Sequence, residues 1–251
     1  NKFEFRMLGS SQSIASPNVV LNTIMAQELE EFADILEQSN DFQTDLQNLL
    51  HDTFKAHQRI IFNGNGYGED WVQEAQRRGL SNLRDTVDCM PAYIDPKNIR
   101  LFAGHNILSE TEMRARYEIH LENYCKVTAI EASTLRDMVL RGILPAVNRY
   151  TADLTQAILH KRELVVPCRV EEDLLQKLSA LTGSLYDTMA AINEAMDKAP
   201  DAEGGIDAAR YYREEIVRRM EEARQSIDQL ESLTAAKYWP YPTYADILFS
   251  V

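Results

Sequence analysis

Two stripes of large apolar residues constrain this chain more than any other feature. Leu174, Leu178, Leu181, Leu185, Met189, Ile192 and Met196 advance by four, three, four, four, three and four residues. Tyr212, Ile216, Met220, Ala223, Ile227, Leu230 and Thr234 do nearly the same. That spacing returns each side chain to one face of a 3.6-residue helix, so each stripe predicts a long amphipathic helix. Ala199-Pro200-Asp201-Ala202-Glu203-Gly204-Gly205 interrupts the pattern and supplies the turn between them. Two antiparallel helices joined this way bury their stripes against each other and a third helix.

The remainder is also helical in pattern. Pro17 suits a first helical turn, and Val20, Leu21, Ile24, Met25, Leu29, Phe32 and Leu36 follow at three- and four-residue steps. Ser39-Asn40-Asp41 ends that helix and offers caps for a second, with Leu46, Leu49, Leu50 and Phe54 on its apolar side. A short helix through Trp71 ends near Gly79, and two more short pieces are punctuated by Pro91 and Pro96. Ser109 and Glu112 have the capping-box spacing and start a long helix through Met113, Tyr117, Leu121, Tyr124, Thr128, Leu135 and Met138. Gly142 and Pro145 sit inside the continuing pattern, which predicts a kink and not a stop. Val165-Val166-Pro167-Cys168 separates this helix from the hairpin, and the aromatic, proline-rich end KYWPYPTYADILFSV reads as a docked extended segment. The fold class is mainly α: an antiparallel helical bundle with a long helical hairpin.

At 251 residues the chain fits one large domain or two small ones. Its net charge of −13 repels nucleic acid and anionic lipid, and no basic run along the sequence offsets that. No apolar stretch approaches the 18 residues of a membrane span. Cys89, Cys125 and Cys168 are odd in number and far apart, which argues against a disulfide framework or a thiolate zinc site and for a reducing, cytoplasmic setting.

The exception to the helical pattern is the opening Lys2-Phe3-Glu4-Phe5-Arg6, which alternates its faces as a strand does. Phe3 and Phe5 point one way, and Lys2, Glu4 and Arg6 the other. A carboxylate between two cations suits a divalent metal, a phosphate and an acidic substrate meeting on one sheet surface. The same row also describes a solvated strand face with surface ion pairs of little energetic value. A lone strand is not stable by itself, so its partners are expected outside these residues, in a longer protein of which this is the C-terminal portion. Asn63-Gly64-Asn65-Gly66-Tyr67-Gly68 matches neither phosphate-loop pattern and reads as a structural turn whose glycines permit non-helical backbone, the other reading being backbone N–H groups open to an anion. His51, His57, His105, His120 and His160 are scattered, and no nucleophilic triad or Glu-x-x-His pair can be assembled.

The opening KFEFRMLGSSQSIASPNVVLNTIMA resembles the Glu-x-Arg strand and following helix of glutamine synthetases, in the form found in the large type III enzymes. HQRIIFNGNGYGEDW, LFAGHNILSETEMRARYEIHLENYC and WPYPTYADILF each resemble type III stretches, in the same order. The resemblance implies an ATP-dependent glutamate–ammonia ligase working through a γ-glutamyl phosphate and assembled from stacked hexameric rings, a dodecamer. It assigns residues 1–39 to the end of the α/β catalytic domain, with the strand part of its sheet, and 40–251 to the helical C-terminal domain. It implies that Glu4 binds a divalent metal, Mg2+ or Mn2+, that Arg6 grips the reacting carboxylate of glutamate, and that Lys2, where the family usually has arginine, contacts ATP phosphates. The family's other metal ligands lie before this strand, so the 251 residues alone are expected to be inactive. The competing reading is a non-catalytic helical interaction protein that uses the Leu/Met hairpin to bind partner helices.

Overall fold

The computed structural model describes residues 13–242 and 244–248. The expected strand with Lys2, Glu4 and Arg6 lies outside them. The described residues contain helices and connecting turns and no strand. They fall into two compact units divided between Tyr117 and Glu118.

In the first unit, α1 (Ala15–Glu37) and α2 (Phe42–Ala56) meet at the expected break. Asp41 caps α2, accepting from the Thr44 backbone N–H at 3.4 Å. Short helices α3 (Glu69–Arg77), α4 (Thr86–Tyr93) and α5 (Pro96–Gly104) follow, and α1 packs against α2 and α5. Asp85 caps α4, Asp95 caps α5, and Pro96 fills the first turn of α5, where its missing N–H leaves no bond unmade. After α3 the chain closes through Gly79 at φ +70°, with Leu80 N donating to Ala75 O at 2.9 Å and Gly79 N to Gln76 O at 3.0 Å. This is a Schellman closure with glycine in its left-handed position. Along α1 only Thr23 is fully buried, its hydroxyl satisfied by the Val19 carbonyl at 2.7 Å. The apolar stripe of α1 is present in the chain but largely uncovered: Leu21, Met25 and Leu29 are 38%, 56% and 61% exposed.

The capping box at the start of α6 (Glu110–Met138) closes as its spacing predicts. Glu112 N donates to Ser109 Oγ at 3.3 Å, and Ser109 N donates to Glu112 Oε2 at 2.8 Å. At Gly142 and Pro145 the helix continues, as expected, but through one π-helical turn, Val139–Ile143, into α7 (Leu144–Glu163). There Leu144 N reaches five residues back to Val139 O. A π turn is one of the few recognised ways a helix bends without ending.

The second unit is built around α8 (Arg169–Asp197), which lies between α7 and α10 (Arg218–Leu233). Leu178, Leu185, Met189 and Ile192 from α8 meet the facing stripe of Tyr212, Ile216, Ala223, Ile227 and Leu230, and all are buried. The hairpin therefore forms as the stripes predict, with Gly205 turning the chain at φ +67°. Its second arm is not one regular helix: α9 (Gly205–Tyr211) passes through a second π-helical turn, Tyr212–Val217, before α10. The seam is the interior of this unit, so the Leu/Met stripes are used largely in packing the hairpin itself, with Leu174, Leu181, Met196 and Met220 partly buried.

The end of the chain docks on the same unit. Tyr238 Oη donates to Asp153, its ring lies 5.2 Å from Tyr150, and Tyr241 Oη donates to the Met138 carbonyl at 3.2 Å. It is not extended throughout, since Tyr244–Leu248 forms a last short helix, α11. No helix among the described residues is long and apolar enough to cross a membrane.

Candidate functional site

Lys2, Glu4 and Arg6, the three site residues expected from the sequence, all lie outside the described residues. Among the described residues no group of three His, Cys, Asp or Glu side chains is placed to hold a metal ion. Of the histidines, His51 pairs with its neighbour Asp52 at 2.9 Å, and His105 with Gln27 across α5 and α1 at 2.9 Å.

The most organised polar cluster surrounds the glycine turn. After α2 the chain makes a short 3-10 turn, Gln58–Ile60, then runs extended through Ile61 to Phe62. Phe62 stacks on Trp71 of α3, ring centroids 4.3 Å apart. Gly64 is required by space: a Cβ there would stand 2.5 Å from Phe62 Cζ, inside the ring's own volume. Asn65 shapes the turn, its side-chain oxygen accepting from Tyr67 N at 3.0 Å and its carbonyl from Gly68 N at 3.2 Å. Gly68 adopts an extended φ of −82° and ψ of 152° as the cap of α3. The turn expected at these glycines is thus present, with none of its residues in left-handed backbone.

Arg78, at the end of α3, ties this segment together. Its guanidinium lies 5.9 Å from the Phe62 ring centre and 5.8 Å from that of Trp71, within cation–π range of both. Its Nη1 donates to the carbonyls of Ile61 at 2.8 Å and Arg59 at 3.2 Å, and its Nε donates to Glu74. Glu74 also accepts two bonds from Arg77, each 2.7 Å, in the parallel fork that guanidinium and carboxylate favour. These hydrogen bonds, from Arg77 first and then Arg78, hold the Glu74 carboxyl down to about 2. The cluster contains no nucleophile and base within reach of each other. What the arrangement provides is a stiff mount for the glycine turn and a set of oriented guanidinium groups. Sequence reasoning passed over Arg78 and Glu74, because Arg78 bonds backbone 17 and 19 residues away and no local pattern signals that.

Residues 45–162 match the family described as glutamine synthetase C-terminal domain. The chain is 35% identical over 214 residues to a glutamine synthetase of Butyrivibrio fibrisolvens, covering 84% of this chain and 31% of that protein. It is 34% identical over 263 residues to a Type-3 glutamine synthetase of Dictyostelium discoideum, covering 99% and 35%. A glutamine synthetase of Bacteroides fragilis (strain YCH46) is 29% identical over 260 residues, covering 100% and 36%. The chain spans about a third of the length of these relatives.

Proposed function

The chain belongs to the glutamine synthetase family, and we propose that it supplies the C-terminal part of a type III, ATP-dependent glutamate–ammonia ligase. In this reading a side-chain carboxylate oxygen of glutamate attacks the γ-phosphorus of ATP, and ADP leaves with the electrons of the broken P–O bond. Ammonia then attacks the acyl carbon, its nitrogen gives up a proton, and inorganic phosphate leaves with its bonding electrons. Arg6 holds the reacting carboxylate through its two-pronged donor edge, and Lys2 offers a single positive charge to the ATP phosphates. Glu4 supplies an oxygen to a divalent cation, Mg2+ or Mn2+. Such an ion takes about six oxygen ligands, so one carboxylate is only part of its shell, which other residues, the ATP phosphates and water complete. On the same reading, residues 1–39 end the catalytic domain, 40–251 form the type III helical domain, and the protein is cytoplasmic and self-associates in stacked rings as a dodecamer.

The observation that carries this reading is the extent of the likeness: one Type-3 relative matches 99% of the chain at 34% identity. The test is made in the full-length ligase containing this chain, by measuring glutamine formed from ATP, magnesium, glutamate and ammonium. Glu4→Gln is expected to lower turnover by about a hundredfold or more and to raise the magnesium requirement. Arg6→Lys keeps the charge but loses the fork, and is expected to raise KM for glutamate. The 251-residue chain by itself is expected to make no glutamine. Wild-type kinetics in both variants would overturn the residue roles, and turnover by the isolated chain would overturn its being only part of the site.

A further inference from the structure

Beside the glycine turn runs a groove lined by Gln58, Arg59, Ile61, Glu74, Arg77 and Arg78. Arg59, Arg77 and Arg78 line it together with a single carboxylate, Glu74, in a chain whose net charge is −13. Glu74 does not exhaust them. Arg77 uses Nε and Nη2 on it, and Arg78 uses Nε on it and Nη1 on two carbonyls. Nη1 of Arg77 and Nη2 of Arg78 are left over, and the Arg59 side chain has no acceptor among the described residues. Arg78 is already held by the Phe62 and Trp71 rings, so a ligand meeting it has little side-chain freedom left to freeze.

We propose that this groove binds a small oxyanion, a phosphate or carboxylate group, between Arg59 and the outer edges of Arg77 and Arg78. The planar fork of arginine matches both kinds of oxygen pair, and Gln58 adds a neutral amide beside it. The surplus of positive charge concentrates anions here against the field of the whole chain. The proposal does not rest on the ligase reading, since none of these residues is Lys2, Glu4 or Arg6.

Trp71 gives the assay. Its ring lies 5.8 Å from the Arg78 guanidinium, so an anion arriving there changes the indole's surroundings. With Trp239→Phe as background, the chain is titrated with inorganic phosphate and separately with glutarate while Trp71 emission is followed. A saturable change is expected with at least one of them, weaker at higher salt. Saturation by phosphate alone identifies a phosphorylated ligand, by glutarate alone a carboxylate, and by both the shared chemistry. Arg59→Gln is expected to weaken binding about tenfold, Arg59→Lys less, and Arg84→Gln, outside the groove, not at all. Far-UV circular dichroism on each variant checks that the helices persist, with Arg59→Lys as the milder change should glutamine perturb them. No saturation with either anion overturns the proposal. So does an equal effect of Arg59→Gln and Arg84→Gln, which would mean a diffuse surface field.

Discussion

Val165 follows α7 with φ +59°, where Val166 N donates to Lys161 O at 2.8 Å and Val165 N to Arg162 O at 3.1 Å. This is the same closure that Gly79 makes after α3, but with a β-branched residue in the left-handed position. Left-handed backbone costs a residue with a Cβ about 1–2 kcal/mol. The side chain is 91% exposed, so removing it forfeits almost no buried area. Glycine's larger freedom in the unfolded chain offsets about 0.5–1 kcal/mol of the relief. Val165→Gly is therefore expected to stabilise the second unit by roughly 0.5–1 kcal/mol. For a unit of about 130 residues, with an unfolding entropy near 2.1 cal/mol/K per residue, that raises Tm by about 2–4 °C. Calorimetry or thermal circular dichroism reads the shift, with Val165→Ala as the comparator that keeps a Cβ and hence most of the strain. A Tm for Val165→Gly at or below wild type, or an equal gain for alanine, refutes the reasoning.

Leu185→Ala, at a fully buried position of the hairpin seam, is expected to cost about 3 kcal/mol in urea unfolding, and clearly more than Leu174→Ala, which is only half-buried. Gly142→Ala would place a Cβ 2.5 Å from Tyr241 Oη, so limited proteolysis should cut the tail after residue 235 faster; in a Tyr241→Ala background the same change should have little further effect. Glu74 titrates near 2 in the folded chain against an ordinary 4.5, so its contribution to stability is present above about 4.5 and lost as pH falls toward 2. Side-chain carbon NMR should find its midpoint well below that of the other glutamates, and Glu74→Gln should remove that part of the acid dependence; an ordinary midpoint would show that the Arg77 and Arg78 bonds are not held in solution.

What could be read from the sequence was whatever depends on neighbours within a few residues. The Ser109/Glu112 box, the Asp41 break, the glycine at the end of α3 and the hairpin stripes all rest on local periodicity or caps, and all appear where the spacing put them. Val165 escaped notice because its left-handed backbone is imposed by the closure after α7 and no glycine marks it. The Arg59, Arg77 and Arg78 groove escaped because its members are nearly twenty residues apart, and a search for basic runs finds nothing there. The second π turn in the hairpin has no proline or glycine to announce it, and its two four-residue steps, Tyr212 to Ile216 to Met220, are matched by Leu181 to Leu185 to Met189 in the regular helix α8. As for the candidate site, alternation and resemblance point to Lys2, Glu4 and Arg6, which lie outside the described residues.

In an uninterrupted helix, one residue more or less rotates everything beyond it by about 100°. Such a slip would swing Val147, Leu154 and Ile158 out of the interior of the second unit. Between Val139 and Ile143 a spare residue is already absorbed in the wider backbone ring, and Val139, Ile143 and Val147 step through it by fours while all staying buried. Shortening the chain by one residue at Leu140–Gly142 would tighten that ring to an ordinary helical turn and leave both flanking faces aimed as before. Homologues that differ in length by a single residue can therefore be accommodated at this point, whereas the same gap a few turns later would dismantle the packing.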